Sequence, residues 1–155
     1  MSTDLLDELR QRKPFASLAQ EAHLNVGRTQ AMLLEGLEQV LRPYNLSATQ
    51  YNVLRILRGA DPRGLCRNEV RDRLLSRMPD VTRLLDRMEE AGLVTRERDT
   101  ADRRLVTTRL TERGRELVDA LDGPVAEEHE RRLGHLGPEQ LRVLIRLLTL
   151  ARQSG

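Results

Sequence analysis

The run Asp80-Val81-Thr82-Arg83-Leu84-Leu85-Asp86-Arg87-Met88 puts Arg83 and Arg87 four residues apart, hence on one face of a helix, with Thr82 beside them. A guanidinium is a rigid fork of N–H donors that matches the O6 and N7 acceptors of guanine. Threonine offers a hydroxyl to phosphate and a methyl to thymine. Asp80 can accept from a cytosine amino group, although a carboxylate at a helix start also suits the helix dipole with no partner at all. Further on, Arg96, Arg98, Arg103 and Arg104 surround Asp99 and Asp102. Arginines at the tip of a hairpin suit a minor groove, where the potential is most negative, and Asp102 is placed to hold a neighbouring guanidinium through a bidentate pair. The competing reading is a solvated charged surface whose ion pairs contribute under ~1 kcal/mol.

Residues like these work only if the chain presents them rigidly. Val81, Leu84, Leu85 and Met88 recur at i, i+3, i+4 and i+7, so a helix opens near Pro79, whose missing N–H is harmless in a first turn, and stops at Gly92. Before it, Arg67 to Leu75 form a short helix with Val70 and Leu74 inward, and Ser76-Arg77-Met78 make a tight turn. Leu93 to Arg98 and Arg104 to Leu110 carry valine, threonine and alternating charge and read as a two-stranded hairpin. Helix, turn, helix and hairpin together make a winged helix-turn-helix, whose second helix enters a major groove.

Around this unit the pattern is helical. Leu5, Leu6 and Leu9 make a short arm ending at Pro14, and a long helix spans Ala16 to Arg42 with two apolar stripes. Ser47 with Gln50 is a capping box for the next helix, Thr111 caps another running to about Leu133, and Gly137-Pro138 opens the last. That last helix has Leu141, Leu144, Ile145 and Leu148 on one face and Val143, Leu147 and Leu150 on nearly the opposite one. A terminal helix that is apolar on two sides points to a second subunit.

Composition narrows the partners. The net charge is +2 over 155 residues, but residues 63–115 hold 14 basic against 10 acidic side chains, an excess of four. The 29 leucines against 2 isoleucines favour helix over sheet. Aromatic residues make up 2% of the chain, too few for a single-strand binder that stacks bases. No stretch of 18 apolar residues occurs and no leader pattern opens the chain, which reads as soluble and cytoplasmic. His23, His129 and His135 have no ligand spacing, and no cofactor motif, Gly-x-Ser-x-Gly elbow, phosphate loop or His-Glu-x-x-His is present. An enzyme is disfavoured.

From Leu46 to Leu121 the sequence resembles the MarR family of bacterial transcriptional regulators. The resemblance is carried by Leu46-Ser47-Ala48-Thr49-Gln50-Tyr51-Asn52-Val53-Leu54, by Asp80 through Val94, by Asp102-Arg103-Arg104, and by Leu110-Thr111-Glu112-Arg113-Gly114. It implies a mostly α fold with a small β-hairpin wing, divided into an arm and dimerisation helix (1–43), a winged helix-turn-helix (44–111) and C-terminal dimerisation helices (112–155). It implies a homodimer that reads a pseudo-palindromic duplex through Pro79, Asp80, Thr82, Arg83 and Arg87 of the recognition helix and Asp102, Arg103 and Arg104 of the wing. Arg77 of the turn and Arg98 of the hairpin, basic residues of the same positive stretch, are further DNA-binding candidates. It further implies a repressor released by a small aromatic or phenolic ligand held between the dimerisation and DNA-binding parts, with His23, Arg28, Met32 and Tyr51 as candidates.

Two alternatives stay open. Cys66, the single cysteine, stands at a helix start beside Arg67 and is a candidate redox sensor, although it is also an ordinary small buried residue. The peroxide-sensing branch of the family uses a cysteine near its N-terminus, and residues 1–65 have none. The other alternative is a winged-helix protein-interaction module that binds no DNA.

Overall fold

The computed structural model describes residues 4–153. Its elements in order are α1 (Leu5–Glu8), α2 (Leu18–Leu41), α3 (Ala48–Gly59), β1 (Leu65–Cys66), α4 (Arg67–Arg73), α5 (Val81–Glu90), β2 (Val94–Arg98), β3 (Val106–Leu110), α6 (Glu112–Leu133) and α7 (Gly137–Ala151). Single 3-10 turns lie at Arg42–Tyr44 and Gly134–Leu136. The fold is mostly α with a small antiparallel sheet, as the sequence predicts.

Caps set the boundaries. Ser47 Oγ accepts the Gln50 N–H at 3.1 Å while Gln50 Oε1 accepts the Ser47 N–H at 3.0 Å, so the expected capping box opens α3. Ser17 caps α2 two residues later than the apolar pattern implied, because its Oγ takes the Gln20 N–H at 3.1 Å. The arm is a single helical turn. At the end of α5, Gly92 has φ +74, its N–H reaches Glu89 O at 2.9 Å, and the Leu93 N–H reaches Met88 O at 3.0 Å. This closes the helix and turns the chain straight into β2.

The sheet differs from a simple hairpin. β1, only two residues long, pairs with β3 (Leu65 opposite Thr108), giving the strand order β1-β3-β2. Two residues show no alternation, so periodicity could not reveal the third strand. Gly64 makes it possible: at φ +76, an added Cβ would lie 2.7 Å from the Thr108 carbonyl oxygen.

One core joins the winged unit to α6. Val53, Leu54 and Leu57 of α3, Leu65, Val70, Leu85, Met88 and Val94 close on Val118, Leu121 and Val125 of α6. Burying each leucine contributes roughly 1.5–3 kcal/mol. Polar ties reinforce this seam. Arg58 Nη1 donates to Asp119 at 2.8 Å and to Asp122 at 2.8 Å, and its Nη2 donates to Asp122 at 2.9 Å. Arg115 pairs with Asp61. Higher up, the buried Glu128 carboxylate is held by Arg131 and Arg132, and Gly36 of α2 leaves room for it.

The far ends are uncovered. No residue of α7 is buried, with Ile145 62% and Leu147 55% exposed, and Leu18 at the start of α2 is 84% exposed.

Candidate nucleic-acid interface

α5 starts at Val81, with Asp80 as its cap: Asp80 Oδ1 accepts the Arg83 N–H at 3.0 Å. Pro79 therefore precedes the helix instead of occupying its first turn, and the Asp80 carboxylate is engaged by the backbone. Val81, Leu84, Leu85 and Met88 are buried, so Thr82, Arg83 and Arg87 are left on the exposed face. α4 also ends earlier than expected. Leu74 turns extended (φ −64, ψ 144), and Leu75, 88% exposed, projects from the turn while its N–H donates to Asn52 Oδ1 at 3.0 Å.

Some arginines are locked within the fold and others are not. Arg58, Arg63, Arg96, Arg109, Arg115 and Arg132 each hold a carboxylate. By contrast, the guanidinium groups of Arg77, Arg83, Arg87, Arg103 and Arg104 make no hydrogen bond or ion pair among the described residues, and all five side chains are exposed. These five cluster in the turn, α5 and the wing; Arg42, Arg73, Arg113, Arg142 and Arg146 are likewise exposed with no side-chain bond among the described residues, so it is the clustering of the five that marks this surface. A guanidinium without an internal partner keeps its full charge available to a phosphate.

Arg96 has a different task from its wing neighbours. It reaches Asp86 at 2.5 Å and Glu89 at 3.0 Å, both on α5, and its own N–H bonds Glu89 at 3.1 Å. The Arg96 guanidinium hydrogen bond holds Glu89 below the usual carboxylate range. The wing is thereby tied to the recognition helix, and its angle to α5 is fixed.

The wing tip corrects one expectation. Among the described residues Asp102 makes no guanidinium pair; its Oδ1 accepts the Arg104 backbone N–H at 3.0 Å, while Asp99 Oδ1 accepts the N–H of Ala101 at 2.7 Å and of Asp102 at 3.3 Å. The carboxylates shape the loop backbone, as aspartates do in turns. Arg98 donates to the Arg103 carbonyl at 2.9 Å and braces the tip from within.

A cleft of about 260 Å³ lies between α4, α5 and the wing, lined in part by Cys66, Arg67, Thr82, Leu85, Arg96 and Arg104. Arg67, which sequence reasoning did not assign to the site, donates from Nη1 to Thr82 Oγ1 at 3.1 Å. Its position before the turn gave no sign of this, because the contact spans 15 residues. Cys66 is half-buried and caps α4. Its N–H is taken by Glu69 Oε2 at 2.9 Å, and Arg63 with that N–H lowers Glu69 to about 2.

The four ligand candidates are not brought together. His23, Arg28 and Met32 are exposed on α2, with Arg28 3.5 Å from Glu8, whereas Tyr51 is buried on α3, where burial pushes its phenol up. No hydrogen bond or ion pair joins them. A second cavity, about 420 Å³ between α2 and α6, is lined by Gln39, Val40, Tyr44, Pro124 and Glu128 among others and by none of the four. Among the described residues no group of three or more His, Cys, Asp or Glu is placed to hold a metal, and no helix is long and apolar enough to cross a membrane.

Comparison with known proteins agrees with this geometry. Residues 44–105 match the MarR family model. PecS, an HTH-type transcriptional regulator of Dickeya dadantii (strain 3937), is 31% identical over 132 residues, covering 82% of this chain and 75% of PecS. A MarR transcription factor from Planctomyces limnophilus, solved by crystallography, is 44% identical with a TM-score of 0.68, covering 88% of this chain and 99% of its own. The transcriptional repressor CouR, solved bound to a 23-mer DNA duplex, is 29% identical with a TM-score of 0.75, covering 91% and 99%. With the winged helix-turn-helix in place and its turn, recognition helix and wing presenting unpaired arginines, the chain belongs to the MarR family of DNA-binding transcriptional regulators and is not an enzyme.

Proposed function

We propose that the protein acts as a homodimeric repressor that reads a pseudo-palindromic duplex and is released by a small aromatic or phenolic ligand. The observation that carries the DNA-binding surface is a cluster of five exposed guanidiniums without internal partners on the turn, α5 and wing, beside neighbours locked in ion pairs. A surface for protein assembly gains nothing from five uncompensated cations, because lone charges are costly to bury. In this reading Arg77, Arg83, Arg87, Arg103 and Arg104 contact DNA, Thr82 contributes its hydroxyl, and Asp80, Asp102 and Arg98 hold backbone in place.

Dimerisation is supported by α7 and the start of α2. Exposed apolar side chains on two sides of α7, Ile145 on one and Val143, Leu147 and Leu150 on the other, each 45% exposed or more, suit burial against a second copy. On this division residues 1–43 and 112–155 join the subunits and 44–111 read DNA. A ligand role is supported by CouR of Rhodococcus jostii RHA1, which has been solved bound to p-coumaroyl-CoA and is 27% identical to this chain. In this reading His23, Arg28 and Met32 of α2 and Tyr51 of α3 remain the candidate ligand residues.

The test is fluorescence anisotropy with a duplex selected from random DNA by the purified protein. Binding should weaken with a log–log salt slope of several units, as counterion release requires. Absence of salt-dependent duplex binding would reject the proposal.

A further inference from the structure

Arg67 opens α4 directly after the Cys66 cap, ahead of the segments that carry the other DNA-facing arginines. Its Nη1 donates to Thr82 Oγ1 at 3.1 Å, from the first helix of the helix-turn-helix to the first turn of the second. Both side chains are exposed, and both line the cleft between α4, α5 and the wing. Arg96 in the same cleft is compensated by Asp86 and Glu89, whereas Arg67 has no carboxylate partner among the described residues.

This hydrogen bond has two physical effects. A threonine in a helix divides between two χ1 rotamers, and a donor fixed on one side selects the rotamer that turns Oγ1 toward it. An arginine has no acceptor, so the Thr82 hydroxyl proton has no use within the pair and must point to another acceptor. With one lone pair of Oγ1 taken by Arg67, the Thr82 hydroxyl proton is directed away from the guanidinium, so Thr82 faces outward as a donor, and the Cγ2 methyl is fixed with the rotamer. The remaining guanidinium N–H groups stay available outward.

We propose that Arg67 is a positioning residue for DNA recognition: by holding Thr82 Oγ1 it aims the Thr82 hydroxyl as a hydrogen-bond donor at an acceptor on the duplex. The proposal rests on the reading that α5 faces DNA. The acceptor is a phosphate oxygen or the N7, O6 or O4 of a base; the chemistry is the same and the experiment separates the two.

The experiment is a double-mutant cycle on the full chain with Arg67→Met, Thr82→Val and the pair, measured by anisotropy on the selected duplex and on duplexes altered one base pair at a time. Each single change should lower affinity roughly five- to tenfold, and the double should lose less than about twofold more than the larger single. Thr82→Ser, which keeps the hydroxyl, should restore most of the Thr82→Val loss. Flattened preference at one base pair, shared by both single variants, places the acceptor on a base; equal losses on every duplex place it on phosphate. Thermal unfolding of the variants should stay within about 2 °C of the parent, since both side chains are exposed. Losses that multiply in the double variant, or a Thr82→Ser as weak as Thr82→Val, would overturn the proposal. If Arg83→Ala still abolished specific binding in that case, only this proposal would fall; a parent protein that bound no duplex would overturn the DNA-facing reading as well.

Discussion

Gly114 and Gly59 are both helical glycines, and replacing each with alanine should move stability in opposite directions. Gly114 lies in the first turn of α6, where its N–H bonds Thr111 Oγ1 at 3.0 Å. A Cβ there would collide with the Leu93 carbonyl oxygen, with the Leu93 carbonyl carbon at 3.1 Å and Leu110 Cδ2 at 3.4 Å. Leu93 cannot yield, since its N–H is bonded to Met88 O at 3.0 Å and its carbonyl accepts the Thr111 N–H at 3.1 Å. The start of α6 must therefore retreat by about 1 Å, at a cost of roughly 1–3 kcal/mol for overpacking. Loss of the Thr111–Leu93 hydrogen bond adds about 1 kcal/mol, and the helix preference of alanine over glycine returns about 1 kcal/mol. A net loss of about 2 kcal/mol is expected, which lowers Tm by roughly 4–8 °C in a chain of this size. At Gly59, near the end of α3, a Cβ meets nothing within 4 Å, so Gly59→Ala should gain about 0.5 kcal/mol. Urea titration followed by circular dichroism, with all variants at one protein concentration because self-association shifts apparent stability, measures both. A Gly114→Ala variant at least as stable as the parent would refute the close approach of α6 to Leu93.

Three further outcomes follow from the ion pairs and the exposed surfaces. Arg96→Met should destabilise by about 1 kcal/mol through the lost tie to Asp86 and Glu89, whereas Arg103→Met should leave Tm unchanged and lower the salt slope of DNA binding by about one; thermal scans and anisotropy read the two. Glu69 is held at about 2 in the fold against an ordinary 4.5, so the folded state binds fewer protons and its advantage, complete above pH 4.5, is lost as pH falls toward 2. Glu69→Gln should flatten that part of the stability profile, and an unchanged acid slope would show that the Arg63 and Cys66 contacts do not persist in solution. Ile145→Asp with Leu147→Asp should give monomers by sedimentation and, with half-sites no longer coupled, a loss of operator affinity; a sedimentation coefficient equal to the parent's would exclude α7 from the interface.

Much of the framework is written in local sequence. The Ser47–Gln50 box, the Thr111 cap, the Gly92 stop and the spacing of Val81, Leu84, Leu85 and Met88 act within one or two helical turns, so residue type and spacing are enough to place α3, α5 and α6 and to put Arg83 and Arg87 outward. The positive excess of residues 63–115 is likewise visible before any fold is known. What only the tertiary structure decided involves partners far apart in the chain. A two-residue β1 exists because Thr108 and Thr107 of β3 pair with Leu65 and Cys66 from the far side of α4, α5 and β2; Arg58 of α3 finds Asp122 of α6 across 64 residues; and Arg67 meets Thr82 across the turn. The sorting of arginines into locked and unpaired sets belongs to the same class. A guanidinium is flexible and chemically identical at every position, so its role is set by whether a carboxylate lies within reach. Reach is a property of packing, which residue order alone does not state.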